Sequence, residues 1–158
     1  MAKQTTLHRP LISFGLVALQ FSFIALLSYL LINQNPSPLT PLQINTVLWL
    51  IPAIMLGFWA IKTIKLGKFN VVPDPKQNIT LITSGPYRYI RHPMYLSILL
   101  FFLPPVVLHP SFSVVFCYAL LTLTLLIKLH YEERLLVQKL EAYSHYQTQS
   151  KKLIPFLF

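Results

Sequence analysis

The sequence predicts an all-α integral membrane protein. It should have about four transmembrane helices, the last two a short hairpin, followed by a cytoplasmic C-terminal helix. Three observations carry this. Hydrophobic residues make up 54% of the 158-residue chain and charged residues only 11%, against roughly 25% charged residues in an average soluble domain. Long stretches carry no charge at all. The 13 Lys+Arg outnumber the 4 Asp+Glu and collect in three segments, separated by turns that hold none. A chain of this length is expected to be one domain.

Each element can be justified in order. Residues 11–32, LISFGLVALQFSFIALLSYLLI, are uncharged and long enough for a ~30 Å hydrocarbon layer. A cleaved signal peptide has an apolar core of only ~7–15 residues and a small-residue cleavage site. This run is longer and ends in Asn33-Gln34-Asn35-Pro36, so a retained helix is expected. Residues 33–41 form a turn-rich linker, and a second span covers 42–61. Lys62, Lys65 and Lys68 follow at helical spacing. Residues 69–93 are a cytoplasmic connection, in which Pro73, Pro75 and Pro86 argue against a continuous helix. Pro93 suits a helix first turn and opens a third apolar run. Pro104 and Pro105 should end or kink that run, and His109-Pro110-Ser111 should turn the chain into a fourth. Residues 94–127 therefore read as a helical hairpin, reaching full depth or not. Residues 128–147 continue as a helix with an apolar stripe of Leu129, Leu136 and Leu140 and no Pro or Gly.

The charge pattern sets the expected orientation. Lys3 and Arg9 lie before the first span. Lys62 to Arg91 hold the second group, and Lys128 to Lys152 the third. With an even number of spans all three groups share one face, which the positive-inside rule makes cytoplasmic. Both termini and the acidic residues Asp74, Glu132, Glu133 and Glu141 then lie on that side, in an inner or plasma membrane. Basic residues that flank apolar spans suit membrane lipids and topology; nucleic-acid binding is not expected. Cys117 is the single cysteine, so no internal disulfide can form.

Polar chemistry collects in residues 78–95, 128–134 and 143–146. Adjacent positions on a helix differ by about 100°, so only one of Glu132 and Glu133 can face the interior easily. Lys128 lies one turn behind Glu132 on the same side. The carboxylates read either as a solvated pair balanced by Lys128 and Arg134, or as part of a site. His92 and Tyr95 sit at the start of a helix, as interfacial anchors or as a ligand site. No metal-binding spacing, phosphate loop or Gly-x-Ser-x-Gly elbow is present, so no metal is expected.

The ordered set SGPYRYIRHPMY, an apolar hairpin, EERLL, paired tyrosines and KKLIP resembles the C-terminal core of the isoprenylcysteine carboxyl methyltransferases. The phospholipid N-methyltransferases and other small membrane methyltransferases share the pattern. The resemblance covers about residues 80–155. It implies S-adenosylmethionine-dependent methyl transfer to a membrane-associated or lipophilic acceptor. By the same resemblance Thr80, Leu81, Ile82, Tyr87, His92, Pro93, Met94, Tyr95 and Glu132 bind the cofactor, and Lys128 and Arg91 face the substrate. Two departures bear on the substrate. Lys128 stands where the prenylcysteine enzymes have an arginine, and QKLEAYSHY lacks their glycine before the tyrosines. Phospholipid N-methylation and small-thiol S-methylation stay open as alternatives. An NADPH-dependent sterol-type reductase and a non-catalytic scaffold fit the motifs less well.

Overall fold

The computed structural model describes residues 5–34, 48–64, 81–155 and 157. Among them are five α-helices: α1 (Thr5–Ile32), α2 (Leu50–Ile64), α3 (Pro93–Leu108), α4 (Phe112–Lys139) and α5 (Glu141–Gln149). A 3₁₀ turn, Gly85–Arg88, precedes α3. No strand occurs among the described residues; one isolated parallel bridge joins Ile90 to Lys151.

The helices pair through stripes written in the sequence. On α1, Ser13, Gln20 and Leu27 recur every seven residues and are all buried. On α4, Val114, Cys117, Leu121, Thr124 and Lys128 recur at alternating steps of three and four and are buried too. These two faces meet, and α1 packs mainly on α4. Likewise α2 packs mainly on α3, through Ala53, Gly57 and Ala60 on its inner face. A Cβ on Gly57 would lie 3.1 Å from the Ser97 hydroxyl, so the missing side chain allows a close helix approach. Leu99, Phe102, Leu121, Leu125 and Leu129 form the centre of the core with Leu27.

Polarity is arranged inside out. Ser13, Gln20, Thr124, Lys128 and Glu133 are buried, while Phe14, Phe58 and Phe112 are 60%, 69% and 84% exposed. In water such a surface would aggregate; against lipid it is the stable arrangement. The Leu11–Ile32 stretch and α4 are long and apolar enough to cross a bilayer. The sequence anticipates four spans, and the described residues contain two helices of that length. The described part of α2 has 15 residues and α3 has 16, about 22 and 24 Å at ~1.5 Å per residue. Residues 42–47 of the expected second span lie outside the described residues, as do Lys65, Lys68 and Lys76.

Of the two outcomes expected at Pro104 and Pro105, an end or a kink, the end does not occur: α3 runs through both prolines to Leu108, where the His109 amide caps back onto the Pro105 carbonyl at 3.0 Å. One local expectation needs correction: the helix after residue 128 is not continuous. It stops at Lys139, Leu140 is extended (φ −129°, ψ 105°), and α5 starts anew at Glu141. No Pro or Gly marks this break. Its compensation is tertiary: the bend turns Tyr143 and Tyr146 back into the molecule, leaving them 2% and 6% exposed.

Candidate functional site

The site is built where the 81–92 segment, the start of α3, the end of α4 and α5 converge. Gly85 seats the segment. Its φ is +58°, a left-handed conformation, and a Cβ there would lie 2.5 Å from the Thr63 hydroxyl of α2. Only glycine meets both requirements without strain. Pro86 then starts the 3₁₀ turn and is buried. The chain leaves the turn extended and pairs with the C-terminal tail. The Arg91 amide donates to the Lys151 carbonyl at 2.7 Å and the His92 amide to Lys152 at 3.1 Å; the Lys151 amide donates to Tyr89 at 3.0 Å.

Beneath this segment lies a buried ion pair. Arg91 Nε donates to Glu133 Oε1 at 2.5 Å, with both side chains under a tenth exposed. Arg91 Nη1 also donates to the carbonyls of Gln147 (3.2 Å) and Ser150. The guanidinium therefore ties together α4, α5 and the tail. Neighbouring backbone and carboxylate oxygens meet most of its donors, so the charge can be buried.

Glu132 points the other way, as the 100° step between neighbours requires. Tyr95 donates to its Oε1 at 2.6 Å, and His92 Nδ1 lies 3.6 Å from its Oε2. The His92 ring stacks on Tyr95 with centroids 5.3 Å apart. Its Nε2 lies 3.5 Å from Glu133 but is not aligned as a hydrogen bond, and no other partner reaches it among the described residues. Lys128, 3% exposed, donates to Gln20 Oε1 of α1 at 2.7 Å. Its ammonium lies 5.2 Å from the centroid of the Tyr95 ring, a cation–π contact.

These groups line one cavity of about 550 Å³, inside the ~300–1,000 Å³ range of small-molecule sites. Of the residues singled out from sequence, Leu81, Ile82, Tyr87, Arg91, His92, Pro93, Met94, Tyr95, Lys128 and Glu132 all reach its wall. Thr80 lies outside the described residues. Arg91 reaches the wall with its guanidinium already engaged, whereas Glu132 and Lys128 keep hydrogen-bonding capacity on the cavity side.

Other wall residues have no site role in the sequence reading. Gln20, Phe21 and Ile24 come from α1; Ile64 and Ile98 close the side; Leu136, Leu140, Tyr143 and Tyr146 come from the bent C-terminal part. The tyrosines stood out in the sequence as a pair, without a role. They pack edge to face, centroids 5.8 Å apart, and the Tyr146 hydroxyl donates to the Tyr87 carbonyl. Burial pushes the Tyr87 and Tyr143 phenols well above their ordinary range and Tyr146 up to about 12. All three are neutral donors near pH 7. Gln20 did carry a signal: it is the sole carboxamide within an uncharged apolar run, and an amide at such depth needs a polar partner.

The family model described as phospholipid methyltransferase matches residues 42–143, more than half of the chain. No curated protein matches it.

Proposed function

The chain belongs to the phospholipid methyltransferase family, and on that premise we propose that it transfers a methyl group from S-adenosylmethionine to a lipophilic or membrane-presented acceptor. The observation that supports this most is the convergence of all three polar segments on one mainly apolar cavity holding the Glu132 carboxylate.

The wall suits such a cofactor. Glu132 has one oxygen occupied by Tyr95 and retains acceptor capacity for an ammonium or for ribose hydroxyls. Leu81, Ile82 and Met94 offer apolar surface to a purine. Tyr87 would offer an aromatic face to a sulfonium, a contact on the order of 0.5–2 kcal/mol, and Tyr95, whose ring already meets His92 and Lys128, would contribute the rest of the aromatic wall. When bound, S-adenosylmethionine supplies an activated methyl group on that sulfonium.

The protein's own part is to position and to exclude water, the main requirements of an in-line displacement. Tyr95 and His92 orient the Glu132 carboxylate. Arg91 holds the segment that carries His92 against α4 and the tail. Phe21, Ile24 and Ile98 keep the α1 side dry and give an acyl or prenyl chain an apolar surface. Lys128 faces the acceptor. A carboxylate acceptor needs no base and gains from that cation, as the prenylcysteine-type reading requires. Phospholipid N-methylation is the second reading, favoured by the family model, and small-thiol S-methylation a third. The distribution of basic residues supports a site at the cytoplasmic face, with bilayer lipids as its surroundings.

The test is incubation of purified protein with methyl-labelled S-adenosylmethionine and a membrane extract. Label should enter the organic phase, and the labelled product identifies the acceptor. Absence of both cofactor binding and transfer, in protein that is folded, would reject the reading.

A further inference from the structure

Lys128 is a buried cation that forms no ion pair among the described residues. Glu132 lies one helical turn away, yet the two form no ion pair: the carboxylate is engaged by Tyr95 and His92, while the ammonium turns to Gln20 and the Tyr95 ring. Leaving a charge this deep with no directly paired counter-ion is costly. The Gln20 partnership also has a fixed sense. An ammonium has no acceptor, so the carboxamide must give it Oε1, and the amide's two N–H groups lie on the other arm. Both residues line the cavity. The ammonium and the carboxamide meet at 2.7 Å, so amide N–H donors and a positive charge from two helices are close neighbours in apolar surroundings, where such attraction is strengthened.

We propose that Gln20 and Lys128 form a carboxylate subsite of the cavity. A carboxylate has two oxygens in one plane and takes one donor from each side chain, supplying the missing negative charge. Two sources share this chemistry: the amino-acid end of the methyl donor, and a carboxylate on the acceptor. The first rests on the methyl-transfer reading; the second does not. Gln20 lies outside the family-matched residues 42–143, so α1 adds to the site a group that the family match does not cover.

The test is calorimetric titration of the full-length protein in detergent, with two pairs of probes. S-adenosylhomocysteine carries the amino-acid carboxylate and 5′-methylthioadenosine lacks it. Oleate and oleylamine carry opposite headgroups on the same chain. Lys128→Met removes the cation. Gln20→Glu keeps the shape and supplies a permanent counter-ion, and it decides the matter if Lys128→Met does not fold. Both variants should lose about 10–100-fold in affinity for a carboxylate-bearing probe, with no loss for its carboxylate-free counterpart. Loss for S-adenosylhomocysteine assigns the subsite to the methyl donor; loss for oleate assigns it to the acceptor. Unchanged affinity for both carboxylates, or an equal loss for the matched probes, overturns the proposal. If the wild type binds neither adenosine compound, the methyl-donor reading fails, and the oleate–oleylamine pair alone judges the subsite.

Discussion

Glu132 and Glu133 are neighbours in sequence with opposite duties, and their variants should separate them. Glu132 faces the cavity and Glu133 lies beneath it against Arg91. Glu132→Gln should weaken S-adenosylmethionine binding by about 10–100-fold, the loss of a charge-assisted hydrogen bond, with little change in melting temperature. Glu133→Gln leaves the Arg91 guanidinium buried with a neutral partner. It should cost about 3–5 kcal/mol of stability, read as a lower melting temperature in detergent. Equal effects on both readouts would contradict the division. The phase of this pair was legible because 100° per residue and the Lys128 spacing fix which carboxylate shares a face with the lysine. Gln20 was less legible: its place on α1 could be read, but not that Lys128, 108 residues away, would be its partner.

At the scale of elements, the 3₁₀ turn depends on Gly85. Gly85→Ala adds both a strained φ and a clash with Thr63, and should destabilise the protein by about 1–3 kcal/mol. Thr63→Ala should relieve part of that in the double variant; additive losses would mean that the clash is not the cause. The C-terminal elements carry a pH dependence. The phenols of Tyr87, Tyr143 and Tyr146 titrate above the value of 10.0 that they have when exposed, Tyr146 at about 12, first because they are buried. Above pH 10 the unfolded chain therefore binds fewer protons than the native one. Stability is full below pH 10 and falls as pH rises towards 12. Melting curves from pH 8 to 12 should show the decline, and Tyr146→Phe should make it shallower. The long helices were legible from uncharged runs bounded by turn residues. The stop at Leu140 was not, since burial of two tyrosines imposes it and no local residue does. Nor could the sequence decide between an end and a continuation at the prolines of α3: a proline costs a helix its own N–H bond, and packing decides whether the helix survives.

For the whole molecule, apolar side chains outside and polar ones within put the protein in a bilayer, and the basic residues predict which way round. Reporter fusions after Phe158 and in the linker at residues 33–41 should report the cytoplasm and the opposite side respectively. A C-terminus on the far side would refute the orientation and the cytoplasmic site. Composition made the membrane class legible, because no soluble core accounts for 54% hydrophobic and 11% charged residues. It could not reveal that α1 pairs with α4 and α2 with α3, since that pairing rests on stripes whose complement lies far along the chain.

The shortness of α3 has a consequence for the surrounding lipid. From the turn at Ser111, Lys128 lies about 26 Å along α4, and α3 itself is about 24 Å long, less than a ~30 Å hydrocarbon layer. A spanning helix this short would be a case of hydrophobic mismatch, which thinning of the bilayer beside it relieves. Such thinning would draw headgroups toward the level of Tyr95 and Glu132. A bilayer of shorter acyl chains should then need less deformation. In reconstituted vesicles, transfer to a lipid acceptor should be faster in thin bilayers than in thick ones, and a rate indifferent to thickness would show that the acceptor arrives by another path.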